Sequence, residues 1–321
     1  RRTSRRTSGT KRVSTARRAL NAGPVGFCGC PVCALKKLPK SRLTRPETDK
    51  TGSVFELNPG DSIPDDIARV LDDVFDDAER RLDAMGSPNP VDVEHAVHQF
   101  RKRCKELRAV ARLVRPALGP RFRDFNHLVR DASAQFSASR DAHVMAETID
   151  SLAPATGLSP DLLAIRDRQV AVAAAATTAL QQGGERTSVA RQLVAAARVA
   201  ANAWDLPDDA APIAKGLTLS YRRGRQSFRA AKRKPTDDRM HEWRKSAKNL
   251  GYHVQLLIAA DRDAMTALVT DLDALGDLIG QDHDLAALIE GVRGAAEGRE
   301  TRALARKRQH KVRKKALRLG K

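Results

Sequence analysis

His98-Gln-Phe-Arg101-Lys102-Arg-Cys-Lys105-Glu-Leu107 recurs as His241-Glu-Trp-Arg244-Lys245-Ser-Ala-Lys248-Asn-Leu250, 143 positions further along the chain. His, Arg, Lys, Lys and Leu all keep that one displacement, and a shorter match, Arg140-Asp141 with His283-Asp284, keeps it too. Basic composition alone does not hold a single register over so long a gap. The chain therefore reads as two copies of one helical unit.

At about 100° per residue, His98, Arg101, Lys102, Lys105 and Arg112 share one face of a helix over residues 97–114. Phe100, Cys104, Leu107, Val110, Ala111 and Val114 occupy the other. The second copy divides in the same way: His241, Arg244, Lys245 and Lys248 stand opposite Met240, Trp243, Ala247, Leu250 and Val254. Each copy thus offers a core-forming side and a cationic ridge. Two further stripes repeat the pattern. Arg222, Arg225, Arg229 and Arg233 oppose Ile213, Leu217, Phe228 and Ala231, and Arg306, His310, Arg313 and Lys314 oppose Val312, Ala316 and Leu319. Like charges at three- and four-residue steps repel by a few tenths of a kcal/mol per pair, which gives such stripes a motive to bind an anion. Arg matches phosphate with a permanent fork of donors, Lys adds a compact charge, and His donates when protonated.

The rest of the chain supports an all-α fold. It has 321 residues, of which 41% are hydrophobic and only 4% aromatic. No convincing period-two strand is present. Residues 1–60 carry 14 Lys and Arg against 3 acids and lack apolar periodicity, so they read as a disordered basic tail. Beyond it, Asp61-Ser62-Ile63-Pro64 reads as a capped helix start. Helices are predicted over roughly 64–85, 91–115, 119–138, 140–152 and 160–182, and again over 212–233, 237–258, 262–280, 282–294 and 297–319. An extra helix near 186–204 links the copies. This organisation gives a first repeat over about 62–182, a linker helix, and a second repeat over about 212–319, with four or five helices in each bundle.

Charge is unevenly placed. The net charge is +19, yet residues 61–97 hold 11 acids and 3 bases, whereas residues 98–130 hold 10 bases and 2 acids. Clustering of this kind focuses a positive field on a polyanion. No run of about 18 apolar residues is present to span a membrane, and the first residues lack the apolar core of a secretory signal. A reducing cytoplasm is the expected compartment.

The paired His-x-x-Arg-Lys-x-x-Lys-x-Leu helices, each followed some forty residues later by an (Arg/His)-Asp motif, resemble the CHAD domain, the conserved histidine α-helical domain. The resemblance covers about residues 62–319. It implies two pseudo-symmetric four-helix bundles around a central basic pore or groove that binds inorganic polyphosphate. It also implies association with polyphosphate granules and a binding module rather than an enzyme, with no cofactor. Carried over by position, His98, Arg101, Lys102, Lys105, Arg108 and Arg112 line the first half of that surface. His241, Arg244, Lys245 and Lys248 line the second, joined by Arg222, Arg223, Arg225 and Arg229. The stripe of Arg306, His310, Arg313 and Lys314 is placed with them. Asp141 and Asp284 are expected to orient helix ends or basic side chains. The chain departs from the family pattern at Gly251-Tyr252, where further Arg is usual, and at His143, where an acid is common.

Several features compete with this reading. Cys28-Gly-Cys30-Pro-Val-Cys33 could begin a zinc or iron–sulfur site. A structural zinc needs four ligands, however, and His95 and Cys104 are distant. Cys104 falls on the apolar side of its helix and reads as a core residue. The Arg-Arg-Thr-Ser units of the tail resemble basophilic kinase sites. Asp282-His283-Asp284 suggests a metal-dependent phosphohydrolase, but neighbouring residues on a helix point apart. No glycine-rich phosphate loop, nucleophile elbow or His-Glu-x-x-His sequence accompanies it. The alternatives to polyphosphate binding are thus non-specific nucleic-acid or ribosome association, and polyphosphate or triphosphate hydrolysis. Against the first, tyrosines are few: Tyr221 and Tyr252 are the only ones.

Overall fold

The computed structural model describes residues 55–153, 158–293 and 298–321. The tail, with Cys28, Cys30, Cys33 and the Arg-Arg-Thr-Ser units, lies outside the described residues. Among the described residues all regular structure is helical. The α-helices are α1 (Ile63–Ala84), α2 (Pro90–Leu113), α3 (Arg115–Leu118), α4 (Arg121–Ala134), α5 (Ser137–Asp150) and α6 (Pro160–Gln181). They continue with α7 (Glu185–Asn202), α8 (Ala211–Arg233), α9 (Asp237–Leu256), α10 (Arg262–Gly291) and α11 (Gly298–Leu319). A short 3₁₀ turn, Ile258–Ala260, joins α9 to α10. Among the described residues no helix is long and apolar enough to cross a membrane.

Local chemistry sets most of the helix starts. Asn89 accepts from the Val91 amide, with Pro90 at the first position of α2. Thr236 caps α9 through the Arg239 amide, and Asp261 caps α10 through the Ala264 amide. The start of α1 differs from the sequence reading, because Ser62 makes no side-chain cap. Asp208, from the segment before α8, accepts from the Ile63 amide at 2.9 Å instead. The chain just before α1 is also docked. Phe55 is buried, the Leu57 amide donates to the Leu256 carbonyl at 2.8 Å, and the buried Asp66 accepts from the Asn58 amide at 2.5 Å.

The apolar faces read from the sequence are the buried ones. Phe100, Cys104, Leu107 and Ala111 of α2, and Met240, Trp243, Ala247 and Val254 of α9, are at most 4% exposed. A buried side chain the size of Leu or Phe contributes roughly 1.5–3 kcal/mol, so these two faces anchor their helices firmly. Helix α2 packs against α1, α4, α8 and α9, while α9 lies between α8 and α10. The largest apolar cluster draws on both copies, with Leu107 and Val110 beside Ile213, Leu217, Leu250 and Val254.

Three features depart from the sequence reading. Between the helices expected over 91–115 and 119–138 stands a separate turn, α3, and Gly119 at φ 55° ends it before α4 begins. The expected pair 262–280 and 282–294 is one continuous α10 of 30 residues. Gly280 costs about 1 kcal/mol relative to Ala in a helix interior, which is not enough to break it. Buried residues on either side keep it continuous: Leu275 and Ile279 lie in one apolar cluster, and Leu285, Leu288 and Ile289 in another. In the first copy the equivalent break is real, because Phe136 turns inward between α4 and α5 and meets Phe100 edge-on at 5.3 Å. Finally, α7 is more than a linker. Its Ala190, Val194, Ala197 and Ala201 are buried in the main cluster, and it packs against α4 and α1.

Helix α8 approaches the end of α2 through Gly216. A Cβ built there would stand 1.8 Å from the Leu113 carbonyl oxygen. Neither backbone can yield without disturbing its helix. Gly216→Ala is expected to cost about 1–3 kcal/mol, as other overpacked sites do. The measurement is a fall in denaturant midpoint at unchanged slope.

Candidate functional site

The cationic faces of α2 and α9 look toward one another. Two adjoining cavities, of about 620 and 360 Å³, share Lys105, Lys248 and Tyr252 in their walls. The larger takes His98 and Lys102 from α2. The smaller takes Arg108 and Arg112 from α2, Arg115 from α3, Arg223 from α8, and Arg244 and Lys245 from α9. Most of the basic residues that the sequence assigns to the two ridges therefore converge on one groove between the copies.

Hydrogen bonds to neutral groups hold this array. Arg101 donates to the Ser133 carbonyl at 2.8 Å, and Arg108 donates to the Asn126 side-chain oxygen at 3.0 Å. Arg112 reaches across to the Asn249 side-chain oxygen at 3.2 Å, while the Asn249 amide donates to the Ser220 hydroxyl at 2.8 Å. His253, fully buried, donates from Nε2 to the Ala109 carbonyl at 3.0 Å. Burial presses its pKa down to about 4, so it is neutral near pH 7 and serves as a strut between α2 and α9.

Some arginines find carboxylates, and one of them, Arg103, lines the larger cavity together with its partner Glu106. Arg103 pairs with Asp77 at 2.6 Å and with the buried Glu106 at 2.5 Å, and Arg198 pairs with Asp76 at 2.6 Å. Most of the other groove cations do not. Among the described residues, Lys102, Lys105, Arg108, Arg112, Arg115, Arg244 and Lys248 have no carboxylate within 4 Å, and neither has Arg101, which lines neither cavity. Lys245 is paired, like Arg103, being bonded to Glu242, which also lies 3.9 Å from Arg223. The buried Nε of Arg244 has no hydrogen-bond partner.

The crowding is visible in the ionisation of these groups. Lys105 reaches water, but enclosure of its ammonium in the groove, followed by the charges of Arg101, Arg244, Lys248 and Arg140, lowers its pKa to about 8. Burial and then Arg108, Arg223 and Arg115 bring Arg112 down to about 10. Lys248 is lowered by burial and Arg244, with Asp277, Asp273 and Asp284 opposing at longer range.

The (Arg/His)-Asp motifs meet the histidines and arginines of the repeat. His98 is lowered by burial and then by Arg140, whereas His241 stacks on His283 with ring centroids 4.7 Å apart and Nδ1 atoms at 3.3 Å. Asp141 opposes the lowering of Arg101, and Arg244 opposes the raising of Asp284 by burial. His143 stands 3.4 Å from Glu94 and 3.1 Å from Glu147.

A family model of the CHAD domain matches residues 70–293, most of the described chain. The chain belongs to the CHAD-domain family. A search of the curated proteins finds no match. The two cationic faces of this CHAD domain stand on the repeated segments, His98–Leu107 and His241–Leu250.

Other residues singled out in the sequence lie apart from the CHAD groove. Arg222, Arg225 and Arg229 line a separate open hollow on the outer face of α8, together with Lys232 and Arg233. Arg306, His310 and Lys314 are exposed on α11 and line neither central cavity. Arg313, placed in a binding stripe by its spacing, is instead tied into the fold. It bonds the buried Asp282 at 2.8 Å, Asp237 at 2.6 Å and the Pro235 carbonyl at 2.5 Å. Asp282 is thus engaged on α11, while the ring of His283 faces His241.

The sequence reading omits Arg115, although Arg101, Lys105, Arg108, Arg112 and Arg115 continue one stripe at three- and four-residue steps. Pro116 masks it by marking a helix end. The Asn126, Asn249 and Ser220 supports carry no signal, since each gains meaning only from contacts made across the fold.

The sign of the Lys105 shift gives a test. Its folded pKa lies below the ordinary 10.5, so the protonated form opposes folding at all pH values below about 8, and the opposition fades as pH rises toward 10.5. Lys105→Met is therefore expected to raise the thermal midpoint at pH 7 in low salt. The gain should shrink as salt screens the groove.

Proposed function

We propose that this chain binds inorganic polyphosphate in the groove between α2 and α9, without catalysing its turnover. The observation that carries the reading is the convergence of cations from both copies on one groove where most of them have no carboxylate partner among the described residues. A flexible chain of phosphates supplies the missing counter-charge. It accepts charge-assisted hydrogen bonds from Arg forks and Lys ammoniums and releases its own counterions on binding. Membership of the CHAD-domain family, linked in general to polyphosphate binding, supports the same ligand. On this reading the two copies form pseudo-symmetric bundles either side of the groove, and the protein associates with polyphosphate granules.

Within the groove, Lys105, Lys248, Arg112 and Arg244 are the central contacts. His98, Lys102, Arg108 and Arg223 extend them toward the mouths. The outer arginines of α8 give a second, weaker surface, and Arg313 takes no part.

The test is calorimetry with long-chain polyphosphate at about 0.15 M salt. The double variant Lys105→Glu/Lys248→Glu should lose affinity by at least about 100-fold, because a hydrogen bond to a charged group is worth roughly 1.5–3 kcal/mol. Arg306→Glu/Lys314→Glu should change it little, and so should removal of residues 1–54. Log affinity should fall linearly with log salt, by about 0.7 per phosphate neutralised if polyphosphate behaves as single-stranded nucleic acid does. RNA that displaces polyphosphate at equal phosphate concentration would transfer the site to nucleic acid.

A further inference from the structure

The repeat is broken where the groove wall changes chemistry. At the displacement of 143, Arg108 corresponds to Gly251 and Ala109 to Tyr252. The second copy thus lacks a cation and carries an aromatic ring beside the gap. Both residues line the larger cavity, and Tyr252 stands between it and the smaller one.

This cavity has two chemically distinct ends. His98, Lys102, Lys105 and Lys248 make the cationic one. Phe55, Tyr252, Val269 and Leu272 make an apolar one, with Phe55 and Tyr252 packed edge-on at 6.2 Å. Besides the Arg103–Glu106 ion pair, three polar groups border the apolar end: the Tyr252 hydroxyl, the Gln255 amide and the Asp273 carboxylate. Among the described residues none of the three makes a side-chain hydrogen bond or an ion pair within the chain. A bare phosphate chain has no use for an apolar wall, and a carboxylate repels it.

We infer that the larger cavity is a nucleoside polyphosphate site, with the phosphates on the cationic end and the nucleoside against Tyr252. The inference rests on the reading of the groove as a phosphate site. A planar base offers a face for the Tyr252 ring and hydrogen-bonding edges for Gln255, in the manner of amide–adenine pairing. Ribose hydroxyls give the Asp273 carboxylate donors to accept, as acidic residues do in dinucleotide sites. Gly251 leaves the wall open: a Cβ there would come no nearer than 3.9 Å to Leu272. The volume of about 620 Å³ lies within the usual range for ligands of this size, roughly 300–1,000 Å³.

Calorimetry on the full chain at fixed ionic strength and pH 7, without divalent metal, tests it with ATP, tripolyphosphate and long-chain polyphosphate. Tripolyphosphate carries at least as much charge as ATP at pH 7, so electrostatics alone gives ATP no advantage. ATP is expected to bind on the order of tenfold more tightly than tripolyphosphate, the scale of one base on an aromatic side chain. Tyr252→Ala should remove that advantage and leave tripolyphosphate unchanged. Because Tyr252 also packs on Phe55, Gln255→Ala is the second variant, expected to weaken ATP several-fold without affecting tripolyphosphate. Tripolyphosphate binding at least as tightly as ATP would overturn the inference, as would an ATP advantage that survives both variants. In those cases binding of long-chain polyphosphate would leave the groove standing as a polyphosphate site. Failure of all three ligands to bind would bring down the phosphate reading itself.

Discussion

Two helices that carry cations on one side and core residues on the other, α2 and α9, pack with their cationic sides facing. That juxtaposition is unfavourable in itself. Lys105 is enclosed among Arg101, Arg244, Lys248 and Arg140, and its pKa falls to about 8 as a result. What holds the helices in place is burial on their far sides, where Phe100, Leu107, Met240 and Trp243 are almost wholly enclosed. The neutral struts Asn249, Asn126 and His253 fix the spacing without cancelling the charge. Apolar packing thus keeps a positive groove open, and the anionic ligand proposed for it would relieve the remaining repulsion.

Much of this is legible in the sequence, because periodicity reports which side of a helix is buried. The repeat pairs α2 with α9 and Arg140 with His283, and in the structure the charge of Arg140 acts on His98 while His283 stacks on His241. What periodicity cannot report is whether a cation has a partner. Arg313 and Lys105 look alike on a helical wheel, yet one bridges Asp282 and Asp237 and the other has no carboxylate within reach. The difference depends on residues brought from distant segments. Helix boundaries are hidden for a related reason. Gly280 is a plausible stop, but packing on two apolar clusters carries α10 through it, whereas Phe136 breaks the equivalent stretch by turning into the core.

The second copy is not a replica of the first. Gly251 and Tyr252 stand at the positions of Arg108 and Ala109, and His283 stands at that of Arg140. The change at Arg108 removes a permanent charge from the groove wall, and the change at Arg140 removes one from the neighbourhood of the repeated histidine. Burial, with Arg244 and His241, lowers His283 to about 4, so near pH 7 that corner adds no charge where the first copy keeps an arginine. The asymmetry gives the groove a more cationic side, from α2, and a more mixed one, from α9.

The central claim is that the groove's crowded charge is compensated by a bound polyanion. The most direct measurement is the ionisation of Lys105 followed by NMR of its side chain, in the free protein and with saturating long-chain polyphosphate. The free ammonium should titrate at about 8. Bound polyphosphate should move the titration upward by more than about one pH unit, toward or beyond the ordinary lysine value of about 10.4. A Lys105 titration that stays unmoved when polyphosphate is bound would contradict the account.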